Sequence, residues 1–485
     1  MPVFETPEFA WRAVGPALAL AAGGTIALIA DAAARGRFSR KALVGLTLAS
    51  IGVAAWFTFD LKDTRAVAMQ GFVAVDGVAL FANLILLTAA AMTVMVSYHY
   101  LQSRRIHRGE YYPLLLFSTA GMVLLASAND LLLVFLGLEI LSLAIYILVG
   151  FARRDERSQE GSLKYFLIGA FSSAFLLYGL ALAFGATGTT NVGRIAARVA
   201  EGSVNSRLIL ASLAFLGVGY LFKVAAVPFH MWTPDAYQGA PTSVTGFMAA
   251  GTKAAAFASL LRVFLVSFGP LQWDWGPILW IFAVVTMVIG SLIAIVQSDI
   301  KRMLAYSSIS HAGFILVGVI AANRNGVAGA LFYLLIYAVT TVGSFAAVLA
   351  SAPRGRERLS LLEWSGLGQR HPVFAGAMTL YLLSLAGVPP TAGFMAKFFV
   401  FAAGIQAGET ALVVVAVLST VIAAFFYLRV IVLMWLQEPS GEPAGLGASP
   451  AIAGALGLAV VATIAFGVWP QALMDLARHA SVFTG

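Results

Sequence analysis

Residues 220–253 read YLFKVAAVPFHMWTPDAYQGAPTSVTGFMAAGTK. Two lysines, Lys223 and Lys253, lie in apolar runs long enough to cross a bilayer, and between them stand Pro228, His230 and the polar turn Thr233-Pro234-Asp235. A lysine at mid-membrane depth costs about 2.5–3.5 kcal/mol on insertion scales, so its presence there requires a reason. Pro228 removes a backbone donor and clashes with the preceding turn, which interrupts the helix carrying Lys223. In a bilayer, broken backbone survives only where protein or water satisfies the freed groups. Ionisable side chains beside a broken helix therefore mark an ion path.

Outward from this stretch the whole chain is apolar. Of 485 residues, 60% are hydrophobic and 11% charged, and runs of spanning length recur from end to end. They fall near residues 13–33, 42–59, 76–101, 112–128, 131–151, 163–186, 208–231, 242–268, 277–297, 303–322, 327–350, 373–404, 411–436 and 450–469. The expectation is an all-α integral membrane protein of about 14 transmembrane helices, a single polytopic domain over 1–485. Its parts would be N-terminal helices in 1–110, a first repeat in 111–268, a second in 276–437 and a C-terminal helix in 448–485. The first run follows Glu5, Glu8 and Arg12 with no cleavage site after it, so it reads as a retained helix rather than a signal peptide. Cysteine is absent, which excludes disulfides and cysteine-ligated iron–sulfur clusters or zinc in this chain. The six histidines never approach ligand spacing with carboxylates, so no metal site is expected.

The net charge of +8 follows topology rather than nucleic acid. Connections after the odd-numbered spans hold sixteen basic residues, among them Arg104, Arg105, Arg108, Arg153, Arg154, Arg157, Arg302 and Arg354; the opposite connections hold eight. That places the odd-numbered connections in the cytoplasm and both termini outside, periplasmic if the membrane is a bacterial inner membrane. A repeat is also visible. The seventh span breaks at Ala225-Ala226-Val227-Pro228 and the twelfth at Ala386-Gly387-Val388-Pro389-Pro390, five spans later. An odd offset reverses direction, so spans 4–8 and 9–13 are expected to form two inverted five-helix repeats with broken helices 7 and 12, the arrangement that places transporter ion sites at the breaks.

Three of the seven lysines, Lys223, Lys253 and Lys397, fall well inside spans, and Lys164 stands at the start of one. Glu139 lies nine residues past Asp130, about 13 Å along a helix, near the middle of a hydrocarbon core of about 30 Å. Desolvation disfavours the charged form of a lone buried carboxylate or ammonium, and each stabilises the other's charge when they meet. Glu139 is thus expected to pair with Lys223 as an adjustable element; the alternative is a static salt bridge. Two unit charges 4 Å apart interact by about 4 kcal/mol at an effective dielectric of 20, enough for such a switch. His230 and His311 are either relay groups or ordinary hydrogen-bonded histidines. Lys164 either joins a relay, pairs with Glu160 or snorkels to the interface. Capping and anchoring suffice to explain Asp235, and Arg429 reads as structural.

The motifs carry a resemblance. HMWTPDAYQGAPTSVTGFMAAGTKAAAF (230–257), LGLEILSLAIYILVGF (136–151), SLKYFLIGAFSSAFLLYGLALAFGATGTTN (162–191), DIKRMLAYSSISHAGF (299–314) and LAGVPPTAGFMAKFFVF (385–401) are similar to the antiporter-like, proton-translocating membrane subunits of bacterial NADH–quinone oxidoreductase, respiratory complex I. These are related to Mrp-type cation/proton antiporters, the alternative reading. The H-x-W-x-P-D turn and S-x-x-H segment fit the whole superfamily. The YQGAPT continuation, the KYFLIGAFSSAFLLYG run and the lysine at 397 resemble the N-type branch; the M-type is expected to carry glutamate there. The resemblance implies proton transport through Glu139, Lys223, Lys253 and Lys397, with His230 and His311 as further relay positions; Lys164 remains a candidate relay member on its own position alone. It implies no cofactor in this chain, with NADH, FMN, iron–sulfur clusters and quinone held by other subunits. The implied partners are an M-like subunit, small K-, J- and A-like neighbours and the lipid bilayer.

Overall fold

The structure is a computed structural model that describes residues 10–352, 356–439 and 445–484. Glu5, Glu8 and Arg354 lie outside the described residues.

Helix follows helix because apolar runs in lipid must satisfy every backbone group within the segment. The first apolar helices are α1 (Trp11–Ala33), α2 (Arg40–Asp60), α3 (Gly77–Ser103), α4 (Tyr111–Ser127), α5 (Leu131–Val149) and α6 (Glu156–Thr187). A short helix on the surface, α7 (Val192–Ala200), leads to α8 (Ser206–Val224), the break, and α9 (Trp232–Gly239). The next crossing is composite: α10 (Thr242–Phe247), a π turn over Met248–Thr252, α11 (Lys253–Arg262) and a second π turn over Val263–Ser267. Then come α12 (Gln272–Ile295), α13 (Ile300–Ile320), α14 (Arg324–Ala350), the single turn α15 (Leu367–Arg370), α16 (Pro372–Ala386), α17 (Ala392–Gln406), α18 (Thr410–Leu436), α19 (Pro450–Val468) and α20 (Gln471–Ala480). Among the described residues, twelve helical stretches are long and apolar enough to cross a membrane, and α4, α16 and α17 are shorter apolar helices. The chain is therefore an all-α integral membrane protein, with one addition that the apolar pattern did not announce. A hairpin of β1 (Ala66–Ala68) and β2 (Val73–Val75) caps the end of the bundle between α2 and α3.

Helix α14 is the centre of the bundle. Residues 326–350 are buried without exception, as expected of a helix apolar on every face. Helices α10, α11 and α13, which bring in most of the polar side chains discussed below, are also buried almost throughout.

Both breaks end their first half-helix the same way. Ala225 (φ 64°) and Gly387 (φ 86°) take the left-handed conformation that closes a helix C-terminus. Ala226 N–H then donates to the Leu221 carbonyl at 2.8 Å and Val388 N–H to the Leu383 carbonyl at 3.0 Å. The freed groups find side chains. Val227 N–H donates to Thr286 Oγ1 (3.0 Å) and Trp232 Nε1 to the Phe222 carbonyl (3.2 Å). At the second break Gly393 N–H donates to Ser384 Oγ at 3.0 Å.

Two short backbone bridges match across the molecule. Asp130 caps α5 and bridges Asn191, with Leu131 N–H on the Thr190 carbonyl (2.9 Å). Asp299 caps α13 and bridges Ser360, with Ile300 N–H on the Leu359 carbonyl (2.8 Å). The chain crosses the bundle five times between the two aspartates, so the bridges lie at opposite ends.

A buried ion pair escaped the sequence reading. Arg262 Nη1 and Nη2 donate to Asp76 Oδ2 (2.6 Å) and Oδ1 (2.8 Å), with side-chain exposures of 1% and 0%. Asp76 also caps α3 through Ala79 N–H and accepts from Thr484 N–H, so one carboxylate ties α3, α11 and the C-terminal segment. Breaking such a pair leaves a buried charge unopposed. Arg262→Leu should lower unfolding stability by about 3–5 kcal/mol in detergent. The double substitution D76N/R262L should recover most of that loss; thermal denaturation followed by circular dichroism checks both.

Candidate functional site

Lys223, Lys253 and Lys397 each end in the protein interior, 2%, 2% and 4% exposed. Lys223, in the last turn of α8, points to α5 and α6: Nζ donates to Ser142 Oγ (2.7 Å) and Tyr165 OH (3.4 Å), between the rings of Tyr146 and Tyr165. Ser142 passes its own hydrogen to the Leu138 carbonyl. Lys253 emerges directly after the π turn of Met248–Thr252; an extra residue in a helical turn re-aims the side chains beyond it. Its Nζ donates to both the hydroxyl and the carbonyl of Ser308 on α13 and lies 5.7 Å from the Tyr337 ring centroid. Lys397, on α17, donates to the carbonyls of Leu385 (3.2 Å) and Ala386 (3.0 Å), the last turn of α16, and sits 4.6 Å above Phe314. A cation at the negative end of a half-helix is favoured by the aligned peptide dipoles.

The expected contact between Glu139 and Lys223 is not made. Among the described residues, none of the three ammonium groups has a carboxylate oxygen within 4.0 Å. Glu139 Oε1 is buried with no hydrogen-bond partner among the described residues. The reason is local: Ser142 stands one turn further along the same face of α5 and offers Lys223 a neutral oxygen.

Between Lys253 and Lys397 runs one face of α13. Ser308, His311 and Phe314 succeed each other at three-residue spacing. His311 Nδ1 meets Tyr333 OH at 2.6 Å and Nε2 meets Tyr427 OH at 3.2 Å, while Tyr427 also bonds Ser307. Phe314 stands edge-on to His311 (5.9 Å between centroids), and its ring also meets Lys397 Nζ at 4.6 Å. Between Lys223 and Lys253 the link is aromatic: Tyr165 stacks on Trp232 at 4.2 Å, Trp232 meets Tyr237 at 6.4 Å, and Tyr237 OH reaches Ser308 Oγ at 3.3 Å.

His230 and Lys164 stand apart from this line. His230 lies at the broken segment, packed edge-on against Tyr306 at 6.4 Å. Lys164 is 44% exposed, two turns inside α6, which begins at Glu156 rather than near 163; it pairs with Glu160 (2.6 Å) and Asp235 (2.8 Å). Asp235 is more than the helix cap its sequence context suggested, because Arg302 Nη1 also reaches it at 2.7 Å. Burial by itself would raise the Asp235 carboxyl; the hydrogen bonds and charges of Lys164 and Arg302 outweigh it and hold the group below the ordinary carboxylate range. Arg429 is structural as read, donating to the Ile295 and Gln297 carbonyls at the end of α12.

At the same arginine-rich end, Glu357 is a buried carboxylate that spacing gave no reason to single out. It accepts from Tyr100 OH (2.6 Å) and Thr242 Oγ1, with Lys301 at 3.9 Å and Arg104 at 3.8 Å. Burial opposes its charge, but Lys301 and Arg104 prevail and keep it ionised. Among the described residues no cluster of three or more histidine, aspartate or glutamate side chains is placed to hold a metal ion.

This geometry can be set beside known proteins. The family described as NADH:quinone oxidoreductase/Mrp antiporter, TM, matches residues 128–423. NADH-quinone oxidoreductase subunit N of Parafrankia sp. is 43% identical over 98% of this chain and 95% of that one. The chain belongs to the subunit N family. A solved structure of respiratory complex I from Thermus thermophilus contains a chain 34% identical, with TM-score 0.81, covering 96% of this chain and 99% of its own. The Mrp complex of Dietzia sp. holds a chain with TM-score 0.84 over 98% of this one and 97% of its own; at 23% identity that likeness is one of fold. Membership of the subunit N family agrees with the branch to which the YQGAPT run and Lys397 pointed, rather than with the antiporter alternative.

Because the Asp235 carboxyl is depressed, its contribution to stability is fully present above the unfolded value near 3.9 and is lost only as pH falls through the lower folded value. The thermal midpoints of wild type and Asp235→Asn should therefore differ by a constant amount from pH 7 to about 5 and converge only below about 4. Differential scanning fluorimetry of the purified protein over that range checks the sign.

Proposed function

We propose that this chain is a proton-translocating membrane subunit of an NADH–quinone oxidoreductase, moving protons along Glu139, Lys223, Lys253 and Lys397. The observation that carries the reading is that the ammonium groups of Lys223, Lys253 and Lys397 are buried in the bundle, each held by neutral oxygens and, among the described residues, none in contact with a carboxylate. A lysine in tight contact with a carboxylate stays protonated; one held by hydroxyls and carbonyls responds to charge that arrives or departs nearby. Glu139, one turn from Ser142, supplies the charge at Lys223, and His311 relays between Lys253 and Lys397. Lys164 and His230 flank the line, at the Asp235 ion pairs and at the broken segment. NADH, flavin, iron–sulfur clusters and quinone belong to other subunits of the complex; the membrane neighbours of this chain are an M-like subunit and small K-, J- and A-like subunits. The chain would sit in a bacterial inner membrane with both termini periplasmic.

The fold proposed with this function has about fourteen membrane segments, ten of them forming two inverted five-helix repeats, spans 4–8 and 9–13. The matched bridges Asp130–Asn191 and Asp299–Ser360 at opposite ends, and the matched left-handed closures at Ala225 and Gly387, support it. The repeat does not make the lysines equivalent: Lys223 precedes its break and Lys397 follows its own.

The test begins with mild-detergent purification of the tagged chain from native membranes, assayed for NADH-driven quinone reduction, which should co-purify. In inverted vesicles, Lys223→Ala and Lys397→Ala should lower proton uptake per NADH oxidised severalfold with the complex intact. Lys223→Arg, which keeps the charge and cannot release the proton, should do no better. Normal uptake in all three variants would sink the proposal. Sodium-dependent proton exchange from vesicles lacking NADH dehydrogenase would assign the chain to an antiporter.

A further inference from the structure

The arginine-rich end of the bundle contains an open cleft of about 730 Å³ between the α3–α4 and α5–α6 connections. Six arginines line it: Arg104, Arg105, Arg108, Arg153, Arg154 and Arg157, against the carboxylates of Asp155 and Glu156. Asp155 meets Arg104 at 3.6 Å, whereas the other five make no ion pair among the described residues. A second groove, of about 430 Å³, begins where the first ends. Gly150 lines it, and the next two residues, Phe151 and Ala152, wall the arginine cleft. It descends between α5 and α6 along Leu143, Tyr146, Ile147, Leu163 and Phe166, most of them exposed. At the junction Gln159 donates to the Arg153 carbonyl and Ser162 Oγ to the Tyr146 carbonyl at 2.7 Å, a polar collar between charged cleft and apolar groove.

We infer that cleft and groove together bind one anionic phospholipid, phosphate among the arginines and acyl chain between α5 and α6. Order along the membrane normal decides the class of ligand. Unpaired guanidinium groups stand at the ends of α3 and α5 where headgroups lie, polar donors and acceptors follow at ester depth, and apolar side chains come below. Guanidinium binds phosphate oxygens in bidentate fashion, and basic pockets between membrane helices favour acidic headgroups. A free anion would fill the cleft and leave the groove without purpose. The groove also reaches Tyr146, whose ring lies 5.8 Å from Lys223 Nζ, so the acyl chain would brace the wall of the Lys223 site.

The proposal rests on membrane insertion alone, and its failure leaves the proton-path reading standing. Phospholipid bound to the purified, assembled complex is counted by mass spectrometry for wild type, the triple variant R153Q/R154Q/R157Q and the triple variant R153K/R154K/R157K. The glutamine variant should lose a bound anionic phospholipid that the lysine variant keeps. Vesicles of phosphatidylglycerol, and not of phosphatidylcholine, should restore it to delipidated wild type. Should the glutamine variant fail to assemble, Ile147→Trp fills the groove with every arginine in place and should expel the same lipid. Unchanged anionic lipid in the glutamine or tryptophan variant would overturn the proposal. So would release by millimolar inorganic phosphate with the groove variant unaffected, which means a free-anion site, or cross-linking of the arginines to an acidic segment of a neighbouring subunit.

Discussion

An ammonium group can stay inside a membrane protein only where oxygen atoms replace the water it has lost. Three solutions coexist here: a side-chain hydroxyl for Lys223, the hydroxyl and carbonyl of a single serine for Lys253, and the carbonyl end of a half-helix for Lys397. The remaining architecture follows from supplying them. Helix α16 must stop where it does for its last carbonyls to face Lys397, and α11 must begin after a π turn for Lys253 to reach α13. Breaks and bulges that would only cost backbone bonds elsewhere become the means of solvating charge in a dry interior.

The contrast with Arg262 and Asp76 is instructive. That pair is bidentate, closed and fully buried, and it joins three parts of the chain. Arginine does not release its proton, so the contact fixes structure without offering a titratable step. Lys223, Lys253 and Lys397 have neutral partners that leave their protonation open. Lys301, equally buried, stands between the two cases: it donates to the Ala240 carbonyl at 2.7 Å with the Glu357 carboxylate at 3.9 Å.

Much of this was legible in the sequence because the signals were costly ones. Lysine in an apolar run and proline in mid-span are expensive in lipid, and each marked a true feature: three buried ammonium groups and two broken helices. Direction could not be read. Nothing in LGLEILSLAIY says that Lys223 turns to Ser142 rather than Glu139, since both lie on one face of α5. The π turn before Lys253 has no residue signature, and the contacts of Glu357 with Tyr100 and Thr242 span more than a hundred residues. The hairpin of β1 and β2 is built from alanine and valine within an apolar stretch, so no alternation announces it. Distant partners of one polar atom are set by packing, and a single sequence does not record them.

Phe314 has a consequence for the resting protein. Of Ser308, His311 and Phe314 on the α13 face, it is the one that can neither donate nor accept a hydrogen bond, and its ring touches both His311 and Lys397. A continuous conductor across a charged membrane would discharge the gradient whenever the machine idled. If protons pass along this face, an aromatic ring in series with hydrogen-bonded groups would act as insulation, keeping idle conductance low until the ring moves aside. The tightness of the membrane against leakage would then depend on one apolar residue that takes no part in carrying the proton.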